Sequence, residues 1–438
     1  MQMLFFLLFT WLSTANAHGI WSHIHVTGWA IENLPDGEVR NFFDEPEVFQ
    51  AALFGAAFVD SGYFPVGSNS DAARAFAEHS HWEPFVADYM QWIIENDPPP
   101  WNSLASRKRV GFLMGCASHG LQDEIFDTLF LPQVSFHDEL EQEEADPGVD
   151  GFLALDDHLR FQPPVYLPMD VLLQLYGDLG HDIDAELIRK AVDVMALLYV
   201  NEENGYNTAL GLGNQYAEVL TWTRLHYLDP EVPGSIRSEI FPTMHYIEAL
   251  WQRLHQQLPA NDIVAFAFPE APRRLRSEQS GSADSWVSFI FTSGLDYATI
   301  SSQWKTETGE EIPFTLHNTR WNHGWTRIVS LKPSIDLISG NWYEVTLFAQ
   351  IDSIENTTSD QPYSFRFQVE CSPANSQECP DLQEVPQASL YPPTEQETPK
   401  PKPQNGKGCT TFPNGPFASG IGLFMLLLFR RSKKPTPP

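Results

Sequence analysis

The chain has 438 residues, with 57 acidic against 26 basic side chains and a formal net charge of −31. That balance excludes a protein that grips a nucleic-acid backbone through a basic surface. Hydrophobic residues at 42% and 13 tryptophans exclude disorder over most of the length and leave room for two or three cores, while four cysteines are too few for a disulfide scaffold.

The first element is an address. An apolar run from Met3 to Leu12 precedes Ser13-Thr14-Ala15-Asn16-Ala17, whose Ala15 and Ala17 satisfy the A-x-A cleavage pattern. The segment 1–17 therefore reads as a secretory signal, and the mature chain as beginning at His18. From 18 to 258, apolar positions recur at three and four residues in Trp29 to Leu34, Phe85 to Ile94, Val110 to Phe130, Met169 to Tyr176, Leu187 to Tyr199, Tyr216 to Tyr227 and Met244 to Leu258. This periodicity predicts an all-α domain. Pro168 ahead of Met169-Asp170 and Asp184 ahead of Ala185-Glu186 mark helix starts.

The helical domain also carries the groups with chemistry. In Ser118-His119-Gly120-Leu121-Gln122-Asp123, His119 and Asp123 stand four apart, so one helix projects both from the same face toward a single metal ion. Asp127 continues that stripe. Around it lie His23 in Trp21-Ser22-His23-Ile24-His25, Asp60 at the end of Ala51 to Val59, and His81 in His79-Ser80-His81-Trp82. His137 and Glu141 repeat the four-residue spacing.

The order and texture of these segments resemble the zinc-dependent phospholipase C family, in particular the catalytic domain of glycosylphosphatidylinositol-specific phospholipase D. The matching segments are Gly19 to His23 with Ala30-Ile31-Glu32, Phe49 to Pro65, Ser80 to Phe85, Phe112-Leu113-Met114-Gly115 through Asp123, and Tyr166-Leu167-Pro168 with Leu172 to Tyr176. The resemblance covers roughly residues 18 to 230. It implies that Asp60, His81, His119 and Asp123 hold one Zn2+, and that Asp123 bridges to a second held by His23 and the mature terminal residue, His18. For a third zinc this sequence departs from the family: Asp127 or Thr128 stands where the family has a His. The later pair is then either His137 with Glu141 or, with a shifted register, Gln142 with Asp146. The acidic run Glu139 to Asp146 also reads as a solvated loop.

From 262 to 372 the texture is β. Val264 to Phe268, Trp286 to Phe291, Thr326 to Leu331, Trp342 to Phe348 and Tyr363 to Val369 are separated by turn residues. The order resembles a bacterial Ig-like sandwich. Residues 373–408 form a Pro-rich linker, with Cys371 and Cys379 able to close a small loop at its start.

Residues 409–434 hold Cys409, the uncharged Phe412 to Phe429, and Arg430, Arg431, Lys433 and Lys434. With Gly406-Lys407-Gly408 they resemble the sorting tail of bacterial surface proteins; a simple C-terminal anchor is the alternative. The expected whole is multidomain and exported to the bacterial cell envelope or surface, tethered to a membrane or released after processing of the tail. The leading function is a zinc-dependent phosphodiesterase, with Asp60 orienting or deprotonating the attacking water, acting on a phospholipid or glycolipid headgroup. The alternatives are a single-strand nuclease of related fold, disfavoured by the acidity, and a surface binding or adhesion protein with a degenerate metal site.

Overall fold

A computed structural model describes residues 18–64, 70–181, 183–200, 202–230, 232–257, 265–268, 274–275, 286–317, 325–338, 340–348, 358 and 362–369. Residues 1–17, read as a signal, the Pro-rich stretch 373–408 with Cys371 and Cys379, and residues 409–434, read as a tail, lie outside them. Among the described residues no helix is long and apolar enough to cross a membrane.

The helical part begins with α1 (Ile20–Asn33), buried at every position from Ile20 to Ile31. A helix apolar and buried all round belongs in the centre of a domain. Then come α2 (Glu38–Phe42), α3 (Pro46–Phe58) running into a 3₁₀ turn (Val59–Tyr63), α4 (Ser70–Ser80) and α5 (Glu83–Asn96). The longest, α6 (Leu104–Ile125), continues through a π turn (Phe126–Phe130) into α7 (Leu131–His137). After these follow α8 (Gln142–Leu155), α9 (Met169–Asp178), α10 (Ala185–Met195), α11 (Glu202–Tyr216), α12 (Thr221–His226) and α13 (Ile240–Leu254). Asp184 caps α10 by accepting from the Leu187 amide at 2.8 Å, as its position in the sequence implies.

Two sequence expectations are corrected here. The stretch Tyr216 to Tyr227 is not one helix, because the Asp138 carboxylate accepts from the amides of Trp222 and Thr223 at 2.8 and 2.9 Å and starts α12 afresh. The acidic run is not a loop throughout: Gln142–Leu155 is helical, Glu139, Glu141 and Glu143 face solvent, and Asp146 turns inward.

The β part forms two four-stranded sheets. One has the order β1 (Ala265–Phe268), β3 (Val287–Asp296), β6 (Trp325–Pro333), β5 (Phe314–His317), all antiparallel. The other has β2 (Arg274–Leu275), β8 (Tyr363–Val369), β7 (Trp342–Leu347), β4 (Ser302–Thr306), antiparallel except for β2 beside β8. Phe291 meets Tyr363 and Trp304 meets Phe314 across the two sheets. Strands β3 and β6 are buried almost throughout, on both faces, because helices cover the side turned away from the second sheet: Arg253 of α13 donates to Ser293 Oγ, and Arg327 of β6 reaches Glu124 of α6.

Candidate metal centre

The site begins with the crossing of α3 and α6. A Cβ on Gly55 would stand 2.2 Å from the Phe112 carbonyl oxygen, and one on Gly115 would stand 1.9 Å from that of Ala52. Only glycine permits so close a backbone approach. The crossing brings the Ala56 carbonyl within 2.6 Å of His119 Nδ1. His81, at the C-terminal end of α4, likewise places Nδ1 2.7 Å from the Ala77 carbonyl. A carbonyl can only accept, so both rings carry a proton on Nδ1 and turn Nε2 inward.

Those two Nε2 atoms stand 3.2 Å apart. Asp60, from the 3₁₀ turn after α3, places Oδ1 3.2 Å from His81 Nε2 and 3.6 Å from His119 Nε2. Asp123, one turn beyond His119, places Oδ2 3.1 Å from His119 Nε2 and 3.6 Å from His81 Nε2. A tetrahedral zinc with ligand bonds of about 2.0–2.1 Å has ligand–ligand edges of about 3.3 Å. The five measured edges match that figure. Imidazole nitrogens and carboxylate oxygens converging at this range in a dry interior must share either protons or a metal cation, and two imidazoles with two carboxylates are a donor set zinc favours.

A second position adjoins the first. His23 on α1 stacks on His119 with ring centroids 3.6 Å apart, and its Nε2 lies 3.0 Å from Asp123 Oδ1 without the alignment of a hydrogen bond. Its Nδ1 faces Gln122 Oε1 at 2.9 Å, and Gln122 in turn donates to Thr27 Oγ1 at 3.0 Å, which fixes the ring. Asp123 thus directs one oxygen to each position. His18 lies edge-on to His23 with centroids 5.4 Å apart, and its buried Nδ1 has no hydrogen-bond partner. The other ring nitrogen, Nε2, lies 2.6 Å from Glu239 Oε1, where Glu239 is the N-cap residue of α13.

Electrostatics follow from the burial. Burial pulls the His81 imidazole down, but the hydrogen bond with Asp60 and the charge of Asp123 outweigh it and lift the ring to about 9. Burial would raise Asp123, yet His119 and His23 hold its carboxyl well below the usual range. Burial, with Asp123 and Asp127 adding to it, pushes Glu239 well above that range, while burial and His23 hold His18 well below the ordinary imidazole value.

The structure brings His18, His23, Asp60, His81, His119 and Asp123 together. Among the described residues, groups of three or more donors within 4.8 Å of one another are His23, Asp60 and His119, and His81, His119 and Asp123. His137 and Glu141 join neither: His137 stacks on Trp222 with centroids 4.6 Å apart, and Glu141 lies exposed at the N-cap of α8. Asp127 is engaged by Gln142 at 3.0 Å. Asp146 is buried with Oδ1 unpartnered, and burial together with Asp127 and Asp123 pushes its carboxyl well up. Sequence reasoning missed Glu239, which no spacing connects to His18 across 221 residues. It also missed Asp150, which accepts from the amides of Trp21 and Ser22 at 3.2 and 2.8 Å and so holds the start of α1. The one signal for Asp150 was its four-residue spacing from Asp146.

No family model matches the chain. The phosphatidylinositol-glycan-specific phospholipase D of Rattus norvegicus is 24% identical over 192 residues, covering 40% of this chain and 22% of the relative. That of Bos taurus is 28% identical over 179 residues, 37% of this chain and 20% of the relative, and that of Homo sapiens 29% over 120 residues, 26% and 14%. The matches thus span about a fifth or less of the length of these relatives. Among solved structures, the S-layer protein SbsC aligns over 74% of this chain and 45% of its own at 11% identity, with a TM-score of 0.19, too low to bear on the fold. Over 26–40% of its length, the chain is thus distantly similar to phosphatidylinositol-glycan-specific phospholipases D.

Proposed function

We propose that the chain is an exported zinc-dependent phosphodiesterase that hydrolyses the headgroup phosphodiester of a phospholipid or glycolipid. One observation carries this reading: the Nε2 atoms of His81 and His119, 3.2 Å apart, between two buried carboxylates at tetrahedral spacing. The distant relationship to phosphatidylinositol-glycan-specific phospholipase D supports the substrate class. The proposed export rests on the A-x-A pattern ahead of His18, and the proposed tether on the apolar and basic tail. The two four-stranded sheets support reading residues 262–372 as Ig-like.

In this reading Asp60, His81, His119 and Asp123 would hold the first zinc, and Asp123, His23 and the processed His18 would hold the second. Bound zinc supplies Lewis acidity and lowers the pKa of a coordinated water to about 7, so phosphate charge is met without a basic surface. The chain's own groups do the rest. Hydrogen bonds from Nδ1 to the carbonyls of Ala56 and Ala77 hold both imidazoles with Nε2 aimed at the site. Asp123 fixes the distance between the two positions, and we assign Asp60 to orienting the attacking water. His18 bears its free amine only after cleavage at Ala17, so the processed terminus completes the site.

The placement of His137 and Glu141 outside the donor groups favours two metals over three, and keeps in view a binding protein without turnover. The test is to purify the processed chain and assay a phosphatidylcholine analogue beside single-stranded DNA. Zinc-dependent release of diacylglycerol or phosphatidic acid, abolished in His119→Ala, is the expected result. Cleavage of DNA alone would replace the substrate class, and zinc binding with no turnover of either would leave the binding protein.

A further inference from the structure

The described β region contains no donor group of the kind found in the helices, yet its strand β6 drives one charged side chain into them. Arg327 is fully buried. Its Nε donates to Glu124 Oε1 at 2.7 Å and its backbone amide to Glu124 Oε2 at 3.0 Å. From Nη1 it reaches Glu83 Oε2 at 3.3 Å and the Tyr246 hydroxyl at 3.1 Å, and that hydroxyl lies 3.2 Å from Glu83 Oε2.

Both glutamates are 1% exposed and both adjoin the proposed zinc ligands. Glu124 follows Asp123 directly, and Glu83 lies two residues after His81. Between the two segments, Gly120 lets the backbones touch: a Cβ there would stand 2.2 Å from the His81 carbonyl and 3.1 Å from Arg327 Nη2. Trp325, two residues before Arg327 on β6, packs edge-on to Trp82 with centroids 5.9 Å apart.

We propose that Arg327 is a positioning residue for the first metal position, holding the His81 segment at the start of α5 to the Asp123 turn of α6. The β region thereby completes the site instead of serving as a spacer. Burying ions is poor glue: replacing a buried ion triad by packed apolar groups is often neutral or stabilising. What the guanidinium adds is geometry, since its rigid fork fixes two carboxylates at once. If Arg327 only filled the interface, an uncharged replacement of the triad would leave the metal position unchanged.

This inference rests on the metal reading, and its experiment separates the two. The processed full chain is compared with Glu83→Gln/Glu124→Gln/Arg327→Met, which removes both carboxylates with the guanidinium and leaves Arg253, 3.8 Å from Glu83 Oε1, its hydrogen bond to Ser293, and with Arg327→Lys, which keeps the charge but loses the fork. Zinc affinity is read by competition with a chromophoric chelator, and ligand geometry by the visible absorption of the Co2+-loaded protein. The expected result is a folded triple variant whose zinc binding is weakened about tenfold or more, in the range of other groups that orient ligands indirectly. Its Co2+ bands should shift, and Arg327→Lys should fall between. A folded variant, triple or Lys, with parental affinity and an unchanged Co2+ spectrum overturns the inference alone. A parent chain that binds no zinc overturns the metal reading and this inference with it.

Discussion

Each imidazole at the centre has one nitrogen whose role is settled by a fixed partner and one left for the site. His81 and His119 donate to carbonyls, and His23 is turned by Gln122. Two tests follow at this scale. His119→Ala removes a ligand of the first position and the ring on which His23 stacks. Zinc content should fall by at least one ion per chain, and hydrolysis by at least about 100-fold, read by elemental analysis and initial rates. Gln122→Leu leaves every proposed ligand in place but frees the His23 ring, and should weaken the second zinc by about 10–100-fold while sparing the first. A Gln122→Leu protein that loses both ions equally would count against a separate second position. The pairing of His119 with Asp123 was legible because a four-residue spacing on a helix defines a common face. Glu239, Glu83 and Glu124 were not, since their partners lie 221, 244 and 203 residues away and nothing local records such a contact.

Among the elements, the crossing of α3 and α6 decides where the ligands stand. Gly115→Ala would place a methyl 1.9 Å from the Ala52 carbonyl oxygen, so the helices must separate. Forcing an extra methyl into such a contact costs about 1–3 kcal/mol or more. The variant should melt lower and also bind zinc less tightly, because the Ala56 carbonyl moves away from His119. Gly177→Ala, in α9 with nothing within 4 Å of the added methyl, is the control and should leave zinc binding unchanged. Helix periodicity marked α6 but not α3, whose run through Ala51 to Phe58 is apolar and buried all round, so neither the crossing nor its tightness was legible. Periodicity also placed a continuous helix over Tyr216 to Tyr227, because the cap that interrupts it is Asp138, more than 80 residues earlier. In the β region the long runs were legible, whereas β2, β4 and β5, with two to five residues each, carry too little alternation to be seen.

For the whole molecule, the net charge of −31 and the proposed phosphate-bearing substrate are reconciled by the site itself. The carboxylates that matter, Asp60 and Asp123, are buried and would be neutralised by the ions they hold, while the exposed Glu139, Glu141 and Glu143 serve the surface. A site of this kind couples metal binding to folding. Stripping zinc with a chelator should therefore lower the melting temperature, and readdition should restore it. With free zinc a thousandfold above Kd, the linkage is about 4 kcal/mol. A melting temperature indifferent to the chelator, in a protein shown to lose its zinc, would mean the cluster contributes nothing to the fold. The most direct measurement is zinc K-edge absorption on the processed chain after dialysis against metal-free buffer. The account expects retained zinc with a nitrogen and oxygen shell at about 2.0–2.1 Å and the outer-shell scattering of at least two imidazoles, lost in His119→Ala. No retained zinc, or a shell of oxygens without imidazole, would contradict it.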